Sequence, residues 1–409
     1  MKEICRYCGT SLKYDVADLG LMPLSNDFIS SKKIREGQYN LPLKIKVCHN
    51  CKLVQVVEYQ MPENIFNDEY PYFSSYSSTW LKHCENYVGM IVDKLKLNKE
   101  SKVIEIASND GYLLQYFKKY GISPTGIEPS GSVARVSAEK GIHTIQEFFC
   151  EEFAKKLYKE GKTADLVIGN NVLAHVPNID DFVKGLKIIL KDTGTITLEF
   201  PHLLNMMRMN QFDTIYHEHF SYLSLISLKR IFNDNMLEIV NVEKLETHGG
   251  SLRVYITHLV PGIEIDVKVT EVINEEMQYG LDQMEVYQGF YKKIQDIKMN
   301  VLSKLIEIKK SGKTVVGYGA AAKGNTLFNY CGVGREFIDY IVDANPHKQN
   351  MYLPGSLIPV VDVDYIKRIK PDYVVVIPWN IKDEIMQQLQ YIKKWGGVFI
   401  VFIPEIEEF

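Results

Sequence analysis

Two stretches of this chain alternate short aliphatic runs with helix-period patterns, and that alternation limits the fold more than any other feature. In the first, from about residue 81 to 265, Val103–Ile106, Thr125–Ile127, Leu166–Ile168 and Thr195–Leu198 are strand-length runs, mostly β-branched or aliphatic. Patterns such as Tyr112–Lys119 and Asp181–Leu190 lie between them with helical spacing. Alternation of this kind predicts a parallel sheet covered by helices. The rhythm returns near the C-terminus with Thr314–Tyr318, Phe337–Val342, Tyr373–Ile377 and Val398–Phe402. Between the two stretches, Val269 to Lys310 runs without proline as a long, polar helical pattern, suited to a connecting helix or helix pair.

The first 68 residues follow neither rhythm. They hold β-like runs at Lys44–Val47 and Leu53–Val57 and two CxxC pairs, Cys5/Cys8 and Cys48/Cys51. Each CxxC turn can aim two thiolates at one ion, so the four predict a closed tetrahedral zinc site. With no open position, such a zinc folds the module and performs no chemistry. The other cysteines, Cys84, Cys150 and Cys331, are scattered and read as small buried hydrophobes. At 409 residues the chain can build two or three cores. The expected division is a zinc-binding domain over 1–68, a central α/β domain over 69–268, and a C-terminal α/β domain with linking helices over 269–409.

Charge narrows the function classes. Basic residues number 47 and acidic residues 51, a net charge of −4 with no basic stripe, so nucleic acid is not an expected partner. MKEICRYCG has no apolar segment behind its lysine, and no uncharged run approaches the roughly 18 residues of a membrane span. A cytoplasmic protein without a membrane partner is expected, as a monomer.

A cofactor site is written into KVIEIASNDGYLLQYFKK, which orders a strand, a tight turn and a helix. Glu105 lies near the strand end, Ala107 and Asn109 stand where glycines often do, and Gly111 closes the turn before Tyr112. Such a turn brings backbone N–H groups to a ligand. The next strand ends in GIEPS, placing Glu128 where a carboxylate accepts both ribose hydroxyls. NAD and S-adenosylmethionine proteins share these parts, and a solvated loop carboxylate is the plainer reading of Glu128. ADLVIGNNVLAHVPN separates the cofactors: its strand, polar turn and short helix resemble the methionine-facing segment of class I methyltransferases, with Asn171 and His175 on that side. Phe148 and Phe149 are candidates to flank adenine, or to pack in the core.

YHEHFSYLS then points to one family. Tyr216–His217–Glu218–His219 resembles the signature of sugar C-methyltransferases that act on nucleoside-diphosphate keto sugars. The CxxC pairs, YPYFSSYSS, EIASNDG, GIEPS, HGGSLRVY, GYGAAAKGNT and DYVVVIPWN look like that family's motifs in the family's order, over essentially the whole chain. The resemblance implies an α/β chain with a zinc domain, a class I S-adenosylmethionine methyltransferase domain and a C-terminal Rossmann-like domain. It also implies S-adenosylmethionine as cofactor and a nucleoside-diphosphate 4-keto-6-deoxysugar as substrate, methylated at C3. In the motif, His219 is implied as general base, Glu218 and Tyr216 as its neighbours, and Tyr72 as a sugar contact. His217 stands where at least one member has an acid, and Leu357 where histidine is frequent, which leaves the exact sugar open.

Methylating a ring carbon requires such groups. A ketone acidifies the neighbouring C–H, and a histidine with an ordinary pKa of about 6.5 is largely neutral near pH 7 and able to take the proton. Tyr216 or Tyr72 can donate to the oxygen where charge develops. A zinc site or a buried polar cluster is the alternative for the HEH triplet. The remaining histidines, His248 included, have no comparable company in the sequence. A second glycine turn, VVGYGAAAKGN, follows a strand, with Gly317, Gly319 and Lys323, and Asp343 ends the next strand. Alone it reads as an NAD site of an oxidoreductase. With the resemblance, Lys323, Asn325 and Arg253 become candidate diphosphate or sugar contacts, and His175 joins the substrate side. A zinc protein that binds S-adenosylmethionine without catalysis is the reading from a different class.

Overall fold

The computed structural model describes residues 3–57 and 74–409. The N-terminal module contributes β1 (Tyr14–Met22), β2 (Ile29–Ser30), β3 (Leu41–Val47) and β4 (Val54–Val56). β1, β3 and β4 pair antiparallel. Valine, leucine and isoleucine at their buried positions fill the space between this small sheet and the rest of the molecule.

The central region opens with α1 (Ser78–Lys94), started by the Ser77 side chain accepting from the Trp80 N–H. Its strands are β5 (Val103–Ile106), β6 (Thr125–Ile127), β7 (His143–Ile145), β8 (Ala164–Asn170) and β9 (Leu190–Pro201), followed by β10 (Ser221–Tyr222), β11 (Leu237–Leu245) and β12 (Ser251–His258). Seven of them form one sheet in the order β11-β12-β9-β8-β5-β6-β7. β5 to β9 are parallel, and β11 and β12 are an antiparallel hairpin at one edge. β5 is buried along its whole length, as a parallel strand covered on both faces must be. The predicted Tyr112–Lys119 helix forms as a 3-10 helix over Leu114–Tyr120, stopped where Gly121 turns left-handed.

The chain then crosses a helix pair, α2 (Val267–Tyr279) and α3 (Met284–Lys310), into a second sheet. β13 (Val315–Tyr318), β14 (Ile341–Val342), β15 (Met351–Tyr352), β16 (Val360–Val361), β17 (Tyr373–Val376), β18 (Val398–Val401) and β19 (Glu407–Glu408) complete the strands. The sheet order is β16-β14-β13-β17-β18-β19, with α4 (Ala322–Cys331) following β13. Of the expected strand Phe337–Val342 only β14 pairs, because the N–H groups of Phe337 and Ile338 are used in a turn onto the Gly334 carbonyl. The α/β architecture expected from the sequence is present. Among the described residues no helix is long and apolar enough to cross a membrane.

The three parts are not separate beads. β10, which follows the YHEH motif, pairs with β4 and completes the N-terminal sheet. β2 pairs with β15 of the C-terminal part. One continuous core joins Val16, Leu43 and Ile45 to Phe212, Tyr287, Phe290 and Phe328. In both large sheets the first strand lies between neighbours reached in opposite directions, β6 and β8 around β5, β14 and β17 around β13. Each reversal opens a crevice at the carboxyl ends of its strands, the place where such sheets bind ligands. The two crevices face one cavity.

Candidate active site

The four N-terminal cysteines meet first. Cys5 and Cys51 sulfurs lie 3.5 Å apart, as do those of Cys8 and Cys48, and all four ligand atoms fall within 4.8 Å of one another. Tetrahedral zinc with Zn–S of about 2.3 Å needs S–S edges of about 3.8 Å, so the donor set fits the ion. The Gln55 side chain donates to Cys5 Sγ at 3.3 Å, as an outer-shell partner of a thiolate does.

A cavity of about 560 Å³ lies between the two large sheets. At one end the strand tips of β5, β6 and β8 present Ala107, Asn109, Glu128 and Asn171, with Phe148 and Phe149 on the wall. Glu128 is buried, and its two oxygens accept from the N–H groups of Asn109 and Ser130, each at 2.9 Å. Burial pushes its carboxyl up to about 7 against the pull of those two donors. Ala107, Asn109 and Asn171 all have left-handed backbones, φ 57°, 47° and 54°. Non-glycine residues hold that conformation at a cost, and such strain collects at binding sites. Among the described residues, Asn171 Oδ1 and Asn170 Nδ2 are buried without a hydrogen-bond partner. An acceptor and a donor beside the Glu128 carboxylate fit the amino-acid end of S-adenosylmethionine, whose ammonium and carboxylate need one of each. Gly111 does not line the cavity; a Cβ there would meet Ile142 and Ser137, so it serves helix packing.

The same cavity holds Tyr216, Glu218, His219, His175 and His248. Every part of the chain helps fix the YHEH loop. β10 anchors its exit, Thr326 of α4 donates to the Ile215 carbonyl at 2.8 Å, and Asn26 of the N-terminal module donates to both Glu218 oxygens at 2.9 and 3.0 Å. His219 Nδ1 lies 2.9 Å from the Thr214 carbonyl. A carbonyl only accepts, so Nδ1 carries the proton and Nε2 keeps its lone pair. His175 is set the same way by the Glu218 carbonyl at 2.8 Å. Burial holds His219 well below its ordinary value and His175 at about 4, so both rings are neutral. Burial also raises Glu218 to about 7. The Tyr216 ring lies 3.9 Å from the His219 ring, centroid to centroid. Tyr72 lies outside the described residues.

His248, expected to stand alone, has company. It sits at the tip of the β11–β12 hairpin with φ 54°, bonded through Nε2 to the Asn171 side chain at 2.9 Å, and its ring is 5.1 Å from that of Trp80. The two glycines after it let the tip dock: a Cβ on Gly249 would come within 2.4 Å of Trp379, and one on Gly250 within 2.2 Å of Asn205. The HGG spelling carried that signal, since adjacent glycines after a histidine mark a turn pressed against a neighbour.

The C-terminal crevice adds Ala321, Ala322, Lys323, Lys348, Pro378 and Asn380 to the cavity wall. Lys323 donates to Asn380 Oδ1 at 2.7 Å and lies over the Trp379 ring at 4.2 Å. Burial lowers it to about 8, offset in part by Asp213. Lys348 donates to the Ala320 carbonyl. Asp343 does not line the cavity; it accepts from Ala320 N–H at 2.6 Å and Asn345 N–H at 2.7 Å. Pro378 fills the space over Gly319 that a close pyrophosphate would use.

Arg253 and Asn325 do not line the cavity. Strand register places Arg253 between Glu199 on β9 and Glu243 on β11, and it pairs with them at 2.8 and 3.1 Å. Asn325 is buried and donates to the Ser25 carbonyl.

Known proteins match this arrangement along its length. Residues 5–66 match a zinc binding domain family, 81–242 a methyltransferase domain, and 246–404 the C-methyltransferase C-terminal domain. C-methyltransferase NovU of Streptomyces niveus is 32% identical over 401 residues, 98% of this chain and 95% of that protein. Among solved structures, PH0226 protein from Pyrococcus horikoshii OT3 is 16% identical, covering 49% of this chain and 99% of its own, with a TM-score of 0.39. Magnesium protoporphyrin IX methyltransferase (ChlM) from Synechocystis PCC 6803 with bound SAM is 15% identical, over 44% of this chain and 79% of its own, with a TM-score of 0.34. From the zinc-ligating cysteines to the last strands, the chain belongs to the C-methyltransferase family and is an S-adenosylmethionine-dependent methyltransferase.

Proposed function

We propose that the methyl acceptor is the carbon beside the ketone of a nucleoside-diphosphate 4-keto-6-deoxysugar, at C3. The observation that carries this reading is the shared cavity, in which a ribose-binding carboxylate, a neutral histidine pair and two lysines of the C-terminal crevice line one wall-to-wall space. An acceptor bound there is long, with an anionic end toward Lys323 and Lys348 and a reacting end toward His219.

His219 Nε2 takes the proton from the carbon next to the carbonyl, and the electron pair moves onto the ketone oxygen. Its low basicity in the buried site makes stabilisation of that oxygen decisive, because a weak base removes the proton only as the new charge is met. Tyr216, or Tyr72, donates to the oxygen. Glu218 and His175 hold sugar hydroxyls. Bound S-adenosylmethionine supplies an electrophilic methyl group on its sulfonium.

The test is wild-type enzyme with S-adenosylhomocysteine in heavy water, offered nucleotide-linked 4-keto-6-deoxysugars. Exchange of the C3 proton supports the reading, and the methylated product then carries its new group on that carbon. Exchange only at a different position, or methylation of an oxygen, overturns it.

A further inference from the structure

Among its described residues, the N-terminal module sends one side chain into the catalytic cavity, and the motif reading gave it no role. Asn26 lies in the loop between β1 and β2, lines the cavity, and aims its amide nitrogen at Glu218, 2.9 Å from Oε1 and 3.0 Å from Oε2. The loop is tied to the C-terminal part on both sides of Asn26. Asn325 of α4 grips the Ser25 carbonyl, and β2 pairs with β15.

We propose that Asn26 is a positioning residue that fixes the Glu218 carboxylate, in place and in its ionised form, toward the methyl acceptor. The inference rests on the acceptor reading above for what Glu218 faces, but not for the coupling itself. Glu218 is buried, and among the described residues Asn26 and Lys348 act on its charge. Lys348 faces it from the C-terminal crevice, itself drawn toward the Asp343 carboxylate and bonded to the Ala320 carbonyl. His175 bonds the Glu218 backbone carbonyl. His217 and His219 flank it in the chain, and burial keeps both rings neutral. Among the described residues Asn26 is the neutral donor that reaches both oxygens directly. Hydrogen bonds to a carboxylate favour its charged form, whereas removing them leaves burial unopposed. The zinc module thereby acts in catalysis through a side chain, beyond folding its own sheet.

The experiment follows Glu218 without substrate, as the infrared carboxyl band that vanishes in Glu218→Gln, titrated in wild type, Asn26→Ala and Asn26→Asp. Asn26→Ala is expected to raise the Glu218 midpoint by about one pH unit, the effect of a lost charge-assisted hydrogen bond. Asn26→Asp, of the same shape, raises it further through like charge. In methylation assays the acid limb of kcat/KM moves with the midpoint, and Asn26→Ala adds nothing in a Glu218→Gln background. An unmoved midpoint in Asn26→Asp, or losses that simply add in the double variant, would overturn the coupling. A midpoint that moves while the acid limb of methylation stays fixed leaves the coupling intact and overturns the acceptor-facing role of Glu218.

Discussion

The indole N–H of Trp379 donates to Oδ2 of Asp213 at 2.7 Å, joining the C-terminal crevice to the turn just before the YHEH motif. The same ring presses on Gly249 beside His248 and carries Lys323 over its face. Asp213 is buried, its Oδ1 has no hydrogen-bond partner among the described residues, and burial raises its carboxyl to about 6. Trp379→Phe keeps the packing and removes that bond, weakening the support of the carboxyl. The expected loss is about 1–3 kcal/mol of stability, read by chemical denaturation. Methylation falls further than S-adenosylhomocysteine affinity, because the bond serves the catalytic end of the cavity. Equal losses in both would place Trp379 in general folding only.

The zinc prediction concerns folding. Purified protein is expected to carry about one zinc per chain, since a four-thiolate donor set is a closed site. Cys48→Ser lowers soluble yield more than it alters turnover in the protein that folds. Elemental analysis finding no metal in active enzyme would remove the site.

The proposed cofactor site gives Glu128 the ribose. Glu128→Ala is expected to weaken S-adenosylhomocysteine binding by one to two powers of ten, as roughly 1.5–3 kcal/mol of charge-assisted bonding disappears. Calorimetry measures it. Binding of NAD in place of S-adenosylhomocysteine would contradict the cofactor assignment.

The pH dependence follows from the same carboxyl, raised to about 7 in the folded protein from an ordinary 4.5. Its contribution to folding is complete below about 4.5 and is lost as pH rises through 7, because the fold disfavours the charge. Ribose hydroxyls favour the charged form, so affinity weakens as pH falls below 7, toward a limit of about tenfold per pH unit. Glu128→Gln flattens that dependence and gains stability relative to wild type between pH 5 and 8. Calorimetry and melting curves across that range distinguish the outcomes. A wild-type affinity that is flat from pH 6 to 8 counts against the ribose role.

In the proposed reaction His219 takes the proton. His219→Asn is expected to bind both substrates and methylate slower by roughly 10²–10⁴, the usual contribution of a general base. It also loses exchange of the ring proton into heavy water with S-adenosylhomocysteine bound. Tyr216→Phe slows both less. Normal exchange in His219→Asn, with exchange lost in a Tyr216, Tyr72 or Glu218 variant, would move the base to that residue.

Local patterns determined much of this protein. The strand rhythm located β5, β6, β8 and β13 within a residue or two, since a buried parallel strand must be a short aliphatic run. Four cysteines in two CxxC pairs announced their own convergence, and Ala107 and Asn109, standing in for glycines, marked the left-handed turn they adopt. Other outcomes depended on register and on packing between distant segments. Arg253 looked like a free cation until strand pairing set it between Glu199 and Glu243. His248 looked solitary because Asn171, 77 residues away, becomes its neighbour only when the hairpin folds over β8. Asn26 and Glu218 are 192 residues apart, and no periodicity links them. A period of two or three and a half reports which face of one element is buried. Which side chains from three sheets converge on one cavity is decided when those buried faces pack together.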